Sequence, residues 1–145
     1  MPDSDFISFL KTLKPEDWNK MATSKWDVKD VVAHMVAWEK ASIDAIRETW
    51  AHKKWPDWFA GNYDDFNAKA VAHYKNHTPA QLIEEWELWQ KKVKEEVVRF
   101  GEEKLKAYPD LFDWLFEGVE DAQLDGSESH YQHHYNQIKK AIENS

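Results

Sequence analysis

Nothing between Asp27 and Lys53 interrupts a helix: neither proline nor glycine occurs there, and Pro56 is the first breaker. Val28, Val31, Val32, Met35, Ile43, Ile46 and Trp50 recur at helical spacing, with Lys29, Asp30, Lys40, Asp44, Arg47 and Glu48 opposite. Asp27 is a good N-cap, and Asp30 adds negative charge to the first turn. A helix of that length with one apolar stripe must be covered by other elements. The whole chain has only Gly 4 and Pro 5, nearly all between periodic segments. That favours a helical bundle over a sandwich or barrel, which would need many turns.

Other segments carry the same signature. From about Ser4 to Leu13, Phe6, Phe9, Leu10 and Leu13 share a face, and Pro15 ends that short helix. Trp18 and Met21 fall in the connection that follows. Asn62 caps a third helix running to about Lys75, with Phe66, Ala70 and Tyr74 inward. Thr78-Pro79-Ala80-Gln81 is the clearest start signal: a Thr cap, Pro at the first helical position and Gln closing a capping box. Leu82, Trp86, Trp89, Val93, Val97 and Phe100 follow, and the helix ends at about Gly101. Short helical turns are expected over residues 102–125, and Asp125-Gly126-Ser127-Glu128 reads as the cap of a last helix. The 145 residues suit a single domain spanning 1–145.

Charge and composition narrow the function. The net charge is -8, with pI ≈ 5.3, and Arg47 and Arg99 are the only arginines. No basic stripe for nucleic acid is visible, nor a dedicated phosphate site. Cys 0 excludes thiolate catalysis, disulfides and cysteine-ligated zinc. With no signal-peptide pattern and no apolar run near the ~20 residues that span a bilayer, the expectation is a soluble cytoplasmic protein without a membrane partner.

The chemistry concentrates in histidines. His130 and His134 are four apart, so on a helix they stack on one face. They flank the stripe of Tyr131, Tyr135, Ile138 and Ile142, while the adjacent His133 turns toward water. His34 holds a similar bordering position on the long helix, in line with Trp38, Ala41 and Ala45. Three such histidines on two packed helices would form a three-nitrogen site with coordination positions left open, the catalytic type of metal centre. Zn²⁺ and Ni²⁺ suit imidazole ligands best. The plain alternative is ordinary hydrogen-bonded histidines at helix borders, since an isolated H-x-x-x-H has many accidental matches.

Glu39 falls near the middle of the apolar stripe, where a carboxylate must be paired, ligating or held neutral. It is a candidate catalytic residue, as partner to a metal-bound histidine or as general base; a rim salt bridge to lysine is the alternative. Trp38, Tyr131 and the connection residues Trp55 and Trp58 are candidate walls of a substrate pocket, with core packing the competing use.

Trp26-Asp27-Val28-Lys29-Asp30-Val31-Val32-Ala33-His34-Met35-Val36-Ala37-Trp38-Glu39 resembles a W-[ST]-V-K-D-x-x-A-H-x-x-x-W-E stretch of the DinB/YfiT-like superfamily of metal-dependent enzymes. Phe66-Asn67 is similar to that family's F-N in the next helix, and His130 to His134 followed by Gln137-Ile138 to its C-terminal H-x-x-x-H-x-x-Q-I. The matches occur in the family's order across nearly the whole chain. The resemblance implies an up-down-down-up four-helix bundle with short extra helices. It also implies a divalent metal held by His34, His130 and His134. Family members include transferases and isomerases using low-molecular-weight thiols, and a ClbS/DfsB-like self-protection branch toward which the His130-Tyr131 form leans. They often form homodimers. The first helix here is short for the family, which would leave one side of the bundle open or favour dimerisation.

The expected function is a divalent-metal-dependent hydrolase or thiol transferase acting on a small, largely uncharged or electrophilic molecule. The alternatives are a non-catalytic small-molecule-binding or self-protection protein, and a structural dimerising bundle of the same fold.

Overall fold

The computed structural model describes residues 3–53, 63–108 and 130–143; the side chains of 3–5, 63, 102 and 130–132 are not among those described. Every regular element in these stretches is a helix: α1 (Asp3–Lys11), a 3₁₀ turn (Pro15–Asn19), α2 (Val28–His52), α3 (Tyr63–His73), α4 (Pro79–Phe100), α5 (Glu102–Leu105) and α6 (His130–Glu143). The protein is therefore all-α, as the breaker distribution indicates. No helix among the described residues is long and apolar enough to cross a membrane.

Local chemistry sets the helix ends. Asp27 Oδ1 accepts from the Asp30 amide at 2.8 Å while the Asp27 amide donates to Asp30 Oδ2 at 3.3 Å, so two orphan donors of α2 are satisfied reciprocally. Thr78 and Gln81 do the same for α4, at 3.1 and 2.8 Å. At its far end α4 stops at Gly101, whose φ of 98° only glycine adopts without strain. Lys53 closes α2 in the left-handed region instead, its amide donating to Thr49 O at 2.8 Å.

Packing is organised around α2, which runs alongside α4 over much of its length and also carries α3 and α6; α1 sits against α4 and α6. One apolar cluster joins Phe6 and Leu10 of α1 to Trp18, Val28, Val31, Val32, Met35, Leu82, Trp86 and Ile138. A second, toward the other end of α2, joins Trp38, Ile43, Ile46, Val93, Phe100 and Leu105. Trp18 lies in the connection as expected and is buried there, because the 3₁₀ turn folds it under α2. One tryptophan departs from the sequence expectation. Trp50, assigned to the apolar stripe, is 44% exposed. The stripe on α2 runs beyond what α4 covers.

The connection entering α2 is itself built. The buried Asp17 carboxylate accepts from the Lys14 amide at 2.9 Å and from Lys20 Nζ at 2.7 Å, and the Val28 amide donates to Lys20 O at 2.9 Å. The Lys20 and Lys14 bonds hold the Asp17 carboxyl below the usual carboxylate range. A carboxyl whose pKa is lower folded than unfolded stabilises the fold above its unfolded value of about 3.9, and that stabilisation is lost as the pH falls through the folded value. Urea midpoints of Asp17→Asn and wild type, compared across acidic pH, are therefore expected to converge as the acid limit is approached and to separate above about pH 4. Parallel curves would show that Asp17 contributes no linkage.

Candidate metal centre

His34 lies in the second turn of α2 and His134 in the second turn of α6, and the packing of these helices brings them together. Their Nε2 atoms are 3.2 Å apart, one hundred residues distant in sequence. Both are buried, His34 at 5% and His134 at 7% exposure. The rings meet edge-on with centroids 5.0 Å apart, and Trp26 flanks His34 at 5.4 Å.

The other nitrogen of each ring is engaged by a side-chain amide, and for His34 this indicates the tautomer. Asn67 of α3 accepts at Oδ1 from Trp38 Nε1 at 2.6 Å. An indole N–H only donates, so this atom of Asn67 is its oxygen. His34 Nδ1 lies 2.8 Å from the same oxygen and must therefore carry a hydrogen. In a neutral ring that leaves the lone pair on Nε2. On α6, His134 Nδ1 lies 2.8 Å from the Gln137 side-chain amide, one turn on. With Gln137 accepting there, the His134 lone pair also lies on Nε2 and the two lone pairs face a common place suited to a cation; with Gln137 donating, His134 Nε2–H donates to His34 Nε2 in an ordinary hydrogen bond.

The spacing fits a metal. Zn–N bonds of about 2.0–2.1 Å at near-tetrahedral angles put ligand nitrogens about 3.3 Å apart. Contacts of Nδ1 with side-chain amides match the outer-shell pattern of metal-ligating histidines, in which a bonded Nδ1–H orients the ring and raises its basicity. Asn67 and Gln137, which the sequence singles out only through their resemblance to the family motifs, are the residues that contact the two rings. Asn67 carries a further signal: it sits within a helix, where asparagine competes with the backbone.

Among the described residues no three His, Cys, Asp or Glu side chains converge as a metal site. The described side chains supply two donors. His130 opens α6 one turn before His134, but its side chain lies outside the described residues. So does that of Tyr131, and Trp55 and Trp58 lie outside altogether. Trp38 is buried at 3%, stacked on Phe66 with centroids 4.0 Å apart and bound to Asn67, so it forms the inner wall behind His34. Glu39 is half-buried, and on α2 it is turned about 140° around the axis from His34. His133, expected in water, is half-buried with its ring 5.2 Å from that of His134.

No family model, no curated protein and no solved structure matches this chain.

Proposed function

We propose that this chain is a DinB/YfiT-like, divalent-metal-dependent enzyme, with His34, His130 and His134 as ligands and with α1, α2, α4 and α6 as the main helices of an up-down-down-up bundle. One observation carries the reading: two buried imidazoles, each with Nδ1 held 2.8 Å from a side-chain amide, bring their Nε2 atoms to one place, 3.2 Å apart. His130 follows as third ligand from its position one turn before His134 on α6. When bound, Zn²⁺ or Ni²⁺ would supply Lewis acidity and lower the pKa of a water or thiol at an open position.

The protein's own contributions are orientation and exclusion of water. Asn67 ties His34 and Trp38 together, which ties α3 to α2 at the site. Gln137 holds His134 from within α6. Trp26 and Trp38 bound the site with apolar surface, and low exposure of both rings strengthens each electrostatic interaction there. Glu39 is the candidate proton acceptor or orienting carboxylate. The reaction is assigned as hydrolysis, or thiol transfer from a low-molecular-weight thiol, on a small uncharged or electrophilic molecule. The companion reading, a binding protein of the same fold, retains ligand binding when the metal ligands are removed.

Metal content per chain, in protein purified without an affinity tag, tests the proposal. Near-stoichiometric metal in wild type and none in a His130→Ala, His134→Ala double variant is the expected outcome. A metal-free wild type that takes up neither Zn²⁺ nor Ni²⁺ on incubation would overturn it, leaving an ordinary hydrogen bond between the rings.

The Asn67 contact makes a separate expectation. Asn67→Leu removes the acceptor for His34 Nδ1–H and is expected to weaken metal binding by about 10–100-fold, whereas Asn67→Asp, which keeps the acceptor, binds at least as tightly as wild type. Competition with a chromophoric chelator reads both. Equal affinity in all three proteins would remove Asn67 from the site.

A further inference from the structure

The two arginines of the chain meet at one place, and it is not the histidine site. Ile46, Arg47 and Trp50 of α2 and Glu96, Arg99 and Phe100 of α4 line a cavity of ≈ 290 Å³. Trp50 comes sixteen residues after His34 on the same helix, which is about 24 Å along the axis. This cavity therefore lies toward the opposite end of α2 and α4.

Its floor is apolar. Ile46 and Phe100 are buried, and the Trp50 ring meets Phe100 edge-on with centroids 4.9 Å apart. Trp50 is one of the few large apolar side chains the described structure leaves substantially exposed. Its surroundings are cationic. Arg47 directs Nε and Nη2 to a single oxygen of Glu96, at 3.3 and 2.9 Å. Arg99 Nη1 reaches the same oxygen only at 3.9 Å, with its side chain 81% exposed. Lys53 and Lys104 place their ammonium nitrogens 4.6 and 4.7 Å from the Trp50 ring centre. Four cations thus stand around this corner, with Glu96 between the two arginines and Asp44 acting on Arg47 from one turn back. The rest of the chain compensates, since the net charge is -8.

A guanidinium offers five N–H donors in a planar fork that matches a carboxylate. Glu96 engages one edge of Arg47 and only approaches Arg99, so the Arg99 fork has donors to offer. An apolar floor with a flat indole, beside forks of this kind, recognises a planar ring that carries an anionic head. The volume stands at the low end of the roughly 300–1,000 Å³ seen for ligand pockets, which limits the occupant to one or two rings.

We infer that the cavity between the C-terminal halves of α2 and α4 is a binding site for a small aromatic carboxylate, with Arg99 and Arg47 holding the carboxylate and Trp50, Phe100 and Ile46 holding the ring. The inference stands independently of the metal reading and requires no metal.

Two-dimensional NMR of ¹⁵N-labelled protein tests it, with 2-naphthoate as the anionic probe and 2-naphthamide as its neutral counterpart. The Trp50 indole N–H and the Nε–H of Arg47 and Arg99 are the reporters. Saturable naphthoate-dependent shifts at all three are expected, with naphthamide at least tenfold weaker. In Arg99→Gln, whose exposed side chain is not needed for folding, naphthoate affinity drops about tenfold while the Trp50 signal of the free protein stays in place. Equal affinity for the two probes would overturn the inference, as would an unchanged affinity in Arg99→Gln, or naphthoate shifts that spare Trp50.

Discussion

His34→Ala is expected to abolish stoichiometric binding of Zn²⁺ or Ni²⁺, with affinity reduced by more than about 100-fold. The magnitude follows from position. Removing an outer partner of a ligating histidine costs about 10–100-fold, and removing the ligand itself costs more, because His134 cannot hold an ion with half its described donor set gone. The substitution also distinguishes a metal site from hydrogen-bonded histidines. In the metal reading, His134 stays oriented by Gln137 at 2.8 Å and the fold persists, since Asn67 still accepts from Trp38 at 2.6 Å. Only the ion and the activity that needs it are lost. Metal analysis together with circular dichroism checks this. Unaltered metal content in a folded His34→Ala protein would show that any bound ion sits elsewhere than between His34 and His134.

The largest effect on stability is expected at Trp86. Trp86→Ala should lower the unfolding free energy by about 3–5 kcal/mol, the usual range for removing a large aromatic side chain from a core. Trp86 is fully buried and stands in the cluster that joins α1, α2, α4 and α6, with the Phe6 ring 5.8 Å away. Its loss opens a cavity that no single helix can close, because each wall belongs to a different element. Natural domains are stable by only about 5–15 kcal/mol, so the variant should unfold well below wild type in urea. Trp50→Ala makes the contrast: with that side chain 44% exposed, the cost should be a fraction of this. A loss under about 1 kcal/mol for Trp86→Ala would mean that α1 and α6 do not depend on this cluster.

The elements most legible in the sequence were those whose cause is local. Asp27 with Asp30 and Thr78 with Gln81 announce helix starts within four residues, and both capping boxes form. Gly101 ends α4 where the periodicity stops. The cap expected at residues 125–128, the Asn62 cap and the aromatic connection around Trp55 and Trp58 fall outside the described residues. The inner face of α3, Ala70 and Tyr74, is buried as its spacing indicates.

The candidate site was half legible. Four-residue spacing on one helix and a border position on another were enough to nominate His34 and His134. Periodicity fixes a side chain's angle around its own helix, however, and not which helix faces it. The meeting of two nitrogens 3.2 Å apart and the Asn67 oxygen shared by Trp38 and His34 depend on how α2, α3 and α6 pack. The same limit explains Trp50. Its phase on α2 is that of a core residue, yet coverage by a neighbouring helix is a property of the pair.

By itself, the sequence determined that this protein is all-α, where its main capped helices begin, and that His34 and His134 border the apolar stripes of their helices, because caps, breakers and 3.6-residue periodicity act within a few turns of one chain segment. Only the tertiary structure decided that His34 and His134 converge at their Nε2 atoms, and that Arg47, Arg99 and Trp50 share a cavity, because those relations join residues on different helices and are settled by how whole faces pack.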